Sequence, residues 1–100
     1  MKDWKACERR VAELLGGRRV PVSGRQRGDT PDVIHEWLSI EVKSRQRLPS
    51  WLEEAMKQAE ASAKDRQPPV VVLHQDGKKY RDALGVCRLS RFANLMKGEE

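Results

Sequence analysis

The chain is poor in the residues that staple small folds together. Its 100 residues include two cysteines, Cys7 and Cys87, and two histidines. Two lone thiols exclude a disulfide framework, and no histidine or cysteine cluster offers a zinc centre. No signal peptide is in view, so both thiols are expected to be reduced in a cytoplasm. No apolar run approaches the roughly 20 residues that span a bilayer, which excludes a membrane partner of that kind. Internal repeats and low-complexity segments are also missing.

Charge is what the chain has in quantity. Charged residues make up 35% and hydrophobic residues 38%, and 20 Lys and Arg face 15 Asp and Glu, a net charge of +5. That balance points to a polyanionic partner, nucleic acid first. The length suits one domain over residues 1–100, which buries about 65% of its unfolded surface.

The stretch from Thr30 to Lys43 organises the rest. Read with a period of two, Trp37, Ser39, Glu41 and Lys43 point one way and Leu38, Ile40 and Val42 the other, the pattern of a strand with one face in a core. Glu41 and Lys43 then lie side by side on the pleat. Asp32 follows a proline that favours an extended start. A short turn near His35 and Glu36 would fold Asp32 back beside Glu41. Two carboxylates and a lysine on one patch are what a divalent cation and a water nucleophile need.

Upstream, Asp3 to Leu15 reads as a helix capped by Asp3 and ended by Gly16-Gly17, with Trp4, Cys7, Val11, Leu14 and Leu15 on one stripe. Glu8 stands at the margin of that stripe and faces the body of the protein. A buried carboxylate needs a partner, so Glu8 meets a metal, a lysine or another donor, or pairs with one of the many arginines. Arg18 to Ser23 reads as a short strand, at an edge because Pro21 cannot donate to a ladder. Gly24 to Asp29 is a basic loop carrying Arg25 and Arg27 directly before Asp32, read as phosphate-binding.

Beyond Lys43, Arg45 and Arg47 add positive charge beside the same patch. Ser50-Trp51-Leu52-Glu53 has the form of a capping box and opens a helix to about Asp65. Its inner stripe is Trp51, Leu52, Ala55, Met56, Ala59, Ser62 and Ala63, with Gln58 at the surface. After Pro68-Pro69, Val70 to Leu73 reads as a central strand covered on both faces. His74 is structural. Asp76-Gly77 marks a turn, and Lys78 to Arg81 an exposed basic loop whose Tyr80 has a face able to stack on a base. A last strand from Leu84 to Leu89 and a short helix capped by Ser90 complete an α/β fold. The order is α-β-β-β-α-β-β with a short C-terminal helix, around a small mixed sheet.

Helical Glu8, Ser23-Gly24, Pro31-Asp32 and Glu41-Val42-Lys43, in that order, resemble the PD-(D/E)XK nuclease superfamily. Within it the spacing is most similar to the small archaeal-type Holliday junction resolvases and their stand-alone phage relatives. The similarity runs from about Lys5 to Arg47 and is generic beyond Pro68. The connection from Asp32 to Glu41 is short for the family and implies a tight hairpin.

The resemblance implies a restriction-endonuclease-like core and a metal-dependent endodeoxyribonuclease. It implies Mg²⁺ or Mn²⁺ held by Asp32, Glu41 and the Val42 carbonyl, with Glu8 matching the family's helix glutamate. Lys43 matches the lysine that orients the attacking water, and Ser23 the serine of the Ser-Gly pair. The expected partner is branched DNA, a four-way junction above all, contacted by Arg25, Arg27, Arg45 and Arg47. Cutting two symmetric strands calls for a homodimer. The expected location is the cytoplasm, the host's if a phage encodes the chain. Another replication, repair or nicking nuclease on this core, or a non-catalytic nucleic-acid-binding module, stays open beside the resolvase.

Overall fold

A computed structural model describes residues 4–20 and 32–98. Expectations resting on Asp3, Pro21 to Ser23, the loop with Arg25 and Arg27, Pro31 and the last two residues lie outside the described residues. The chain divides into two compact units, Met1–Gln46 and Arg47–Glu100. Its element order is the expected one, α-β-β-β-α-β-β-α, in a small α/β fold. The described strands pair antiparallel throughout, in a three-stranded and a two-stranded sheet, and not in one mixed sheet.

In the first unit, α1 spans Trp4–Leu15. Alanine, leucine, glutamate and arginine are strong helix formers and fill most of it. Its buried face is Glu8, Ala12 and Leu15, while Trp4 and Leu14 are nearly half exposed, so the helix is rotated from the expected stripe. Gly16 ends it at φ +77°, and the Gly17 N–H donates to the Ala12 carbonyl at 2.9 Å, a Schellman closure. That closure turns the chain straight into β1 (Arg18–Arg19), which pairs with β2 (Val33–Ile34), which pairs with β3 (Ser39–Ile40). The core is Ala12, Leu15, Val20, Val33 and Ile40, with Val33 wholly buried.

The expected strands are longer than the observed ones. Alternation nonetheless persists: Ser39, Glu41 and Lys43 are exposed, and Leu38, Ile40 and Val42 are at least partly covered. The burial pattern thus outlasts the hydrogen-bonded ladder.

In the second unit, α2 (Ser50–Ser62) places Met56 inward and leaves Gln58 at the surface. Trp51 is 57% exposed and Ser62 is exposed, so the inner stripe is narrower than expected. Ser50 is the first helical residue and caps nothing. The Pro49 carbonyl instead receives the N–H groups of Leu52 and Glu53. Glu53 does not reach back, because it bonds Arg88 at 3.3 Å, and Arg88 also bonds Glu60 at 2.9 Å. The Arg88 bond holds the Glu60 carboxyl below its ordinary range, and the same bond raises the guanidinium. The helix stops at Ser62, whose hydroxyl turns back onto the Gln58 and Ala59 carbonyls, and Ala63 is already extended.

β4 (Val71–Leu73) and β5 (Leu84–Val86) form the two-stranded sheet. Among the described residues β4 pairs with β5 alone, and Val72 is 67% exposed, so the strand is not covered on both faces. The final helix, α3 (Leu89–Lys97), buries Ala93 and ends at Gly98, φ +74°. Its N-cap is Arg88, not Ser90, with no side-chain cap. No helix among the described residues is long and apolar enough to cross a membrane.

Gly17 gives the sharpest test of how α1 meets the sheet. A Cβ there would lie 2.5 Å from the Ile34 carbonyl oxygen and 2.8 Å from Val33 Cγ1. The first neighbour is backbone and cannot swing aside. Gly17→Ala should cost about 1–3 kcal/mol of stability in a thermal or urea melt. A variant melting with the wild type would show that β2 does not run this close to the helix end.

Candidate active site

The hairpin brings Asp32 to Glu41. Val33 pairs with Ile40 and Ile34 with Ser39. The Asp32 N–H donates to the Ile40 carbonyl at 3.1 Å, and Asp32 Oδ2 accepts the Val42 N–H. Asp32 therefore holds the residues on both sides of Glu41. The hairpin expected from the sequence is present at the level of the backbone, closed by the turn at His35 and Glu36.

The backbone explains why a carboxylate is used. In a regular antiparallel pair, one residue gives its N–H and its C=O to the same partner. Asp32 divides them: its N–H goes to β3, while its carbonyl accepts the Val20 N–H at 3.2 Å on the β1 side. The chain bends there, and the Asp32 side chain, not its carbonyl, receives the Val42 N–H. Asp32 is 5% exposed, so this bond is formed away from bulk water.

Glu8 is likewise 5% exposed. Its Oε1 receives the Arg19 Nε–H at 2.9 Å, and Arg19 lies 5.4 Å from the Trp4 ring centroid, within cation–π range. Of the partners open to Glu8, an arginine is therefore present. Glu41, Lys43 and Arg45 are exposed. Arg47 is exposed too and opens the second unit. Ser23, Arg25 and Arg27 lie outside the described residues.

Asp32, Glu41 and the Val42 carbonyl are hard oxygen donors, the type that suits Mg²⁺ or Mn²⁺. Among the described residues no three His, Cys, Asp and Glu side chains cluster to hold a metal. Asp32 and Glu41 thus offer two carboxylates from neighbouring places of the hairpin, and Glu8 is engaged by Arg19.

Two contributors are not evident from the sequence. Arg19 is one of 20 cationic residues, and nothing in its spacing singles it out. His35 ties the hairpin to the helix: Nε2 donates to the Leu15 carbonyl at 2.9 Å, and Nδ1 accepts the Trp37 N–H at 3.2 Å. The Trp37 donor requires Nδ1 to be the acceptor, which assigns the proton to Nε2. The ring meets the 64%-exposed Trp37 edge-on at 5.4 Å.

No protein family, curated protein or solved structure matches this chain.

The splice at Asp32 separates fold from chemistry. Asp32→Ala strands a backbone donor and should lower the unfolding free energy by about 1–3 kcal/mol. Asp32→Asn keeps an acceptor oxygen and should lose less in the same urea titration. Equal losses would mean that negative charge, not the accepted hydrogen bond, holds the bend.

Proposed function

We propose that this chain is a metal-dependent, structure-selective DNA endonuclease of the PD-(D/E)XK type, acting as a Holliday junction resolvase. The observation that supports it best is the pair Asp32 and Glu41 held across one hairpin, with Val42 and Lys43 next in line. In this reading Asp32, Glu41 and the Val42 carbonyl hold Mg²⁺ or Mn²⁺. When bound, the ion supplies an acidified water and charge stabilisation at the scissile phosphate. Lys43 orients the attacking water and offsets charge on the phosphorane. Glu8 acts from behind by fixing Arg19, and Ser23 stands in the family's serine position. Arg25, Arg27, Arg45 and Arg47 bind phosphates. The exposed Trp37 supports a two-fold dimer, since such a ring is apolar surface for a second copy to cover. The cytoplasm is where this reading puts the protein.

The rival reading is a nucleic-acid-binding module that does not cut. It is favoured by one observation, the lack of a three-ligand cluster among the described residues. Incubation with Mg²⁺ and, separately, a four-way junction, a flap, a duplex and a single strand decides between them.

Glu41→Ala or Asp32→Asn should abolish cleavage and leave DNA binding nearly intact, because they remove ion ligands and not phosphate contacts. Cutting at the wild-type rate by either variant overturns the site. On a cruciform plasmid, a dimer should give mainly linear product from two coordinated cuts. A monomer, or nicking without preference for the junction, points to another nuclease on this core.

The arginines carry a separate expectation. Neutralising Arg25, Arg27, Arg45 or Arg47 should weaken all DNAs similarly and lower the salt slope by about 0.9 per lost contact. A slope unchanged in all four variants removes these residues from the interface.

A further inference from the structure

The second unit carries a stacked pair of rings, His74 and Tyr80. Tyr80 is 83% exposed, yet it is not a loose loop side chain. Its ring stacks on His74 with centroids 4.4 Å apart and planes at 24°. His74 is itself fixed, its Nε2 bonded to the Lys78 carbonyl at 2.9 Å. The segment between the rings is tied at each step. The Lys78 N–H donates to the Gln75 carbonyl across a turn whose Gly77 sits at φ +86°, where a side chain would be strained. Asp82 and Ala83 then donate to Lys79 and Tyr80 and close a single 3₁₀ turn.

The stack holds the Tyr80 ring in place while leaving most of it exposed. Its outer face is presented, rigid and ready, to something flat. The chemistry nearby says what. Lys79 and Arg81 flank Tyr80 and are exposed, and Lys78 lines the adjoining cleft. That cleft holds about 430 Å³ and combines an apolar wall at Leu73 and Leu84 with Gln75 and Asp82. Its volume lies in the range of small-molecule sites, ~300–1,000 Å³. Cations suit a phosphate, the ring suits the face of a base, and the Gln75 amide and Asp82 carboxylate suit base edges.

We propose that the Tyr80–His74 stack is a docking platform for an unpaired nucleobase of single-stranded DNA, with Lys78, Lys79 and Arg81 on its phosphates. It rests on the nuclease reading only in taking DNA as the polyanion. The contact would let the protein tell DNA with unstacked bases from continuous duplex, whose base faces are covered.

The test is binding without cleavage. Labelled oligothymidylate and a blunt duplex are titrated with the full chain in EDTA and followed by fluorescence anisotropy. Tyr80→Ala should weaken single-strand binding by about fivefold to hundredfold and leave duplex binding unchanged, as expected for loss of one stacked base. Tyr80→Phe should bind like the wild type. The His74 ring-proton resonances should move when oligothymidylate is added and stay put with duplex. Tyr80 is exposed, so circular dichroism should show the variants folded. Equal single-strand affinity for Tyr80→Ala and wild type overturns the platform, as does a parallel loss on both DNAs. Failure of the wild type to bind the single strand overturns the platform alone, because the nuclease reading is decided by junction cleavage in Mg²⁺. Duplex binding with an indifferent Tyr80 overturns the platform alone.

Discussion

The first unit depends on a carboxylate taking the place of a carbonyl. At Asp32 the backbone serves two strands at once, its N–H on one side and its C=O on the other. Asp32 Oδ2 accepts the Val42 N–H, so Glu41 stands between two bonded neighbours. Leaving a buried donor unmade costs more than a typical hydrogen bond contributes, so the substitution sets where the hairpin ends. The residue we propose as an ion ligand is also the one whose side chain bonds the strand beside it.

Behind the hairpin the polar groups are settled locally. Glu8 would be costly at 5% exposure were it alone, and Arg19 answers it with a charge-assisted bond while resting on Trp4. The second unit uses a similar device in the open, where Arg88 draws Glu53 and Glu60 of α2 toward the start of α3. Exposed pairs of this sort contribute modestly and are screened by salt. The buried pair therefore matters more to the shape of its unit.

Much of this is legible in the sequence, and the limits are physical. The end of α1 at Gly16, the short hairpin and the meeting of Asp32 with Glu41 follow from turn chemistry and a period of two. Ser50 and Ser90 fail as caps because the helices start one or two residues earlier, where the Pro49 and Arg88 carbonyls take the N–H groups, and Glu53 turns to Arg88 instead of reaching back. Val70 to Leu73 has the composition of a covered strand, but composition does not say how many strands pair, and Val72 is exposed. Arg19 is hidden among many cations. The bend at Asp32 is hidden altogether, because dividing one residue's hydrogen bonds between two strands leaves no trace in residue types. The nuclease reading rests on motif order and on this hairpin.

His35 changes how the first unit can come apart. The last carbonyls of a helix ordinarily fray on their own, since water replaces what is missing there. Here the Leu15 carbonyl is bonded to a side chain from the β2–β3 turn, and the same ring receives the Trp37 N–H. Opening the helix end releases the turn, and opening the turn exposes the helix end. Fraying of the helix end and melting of the hairpin are therefore coupled through one ring, each made less favourable by the bond the other holds.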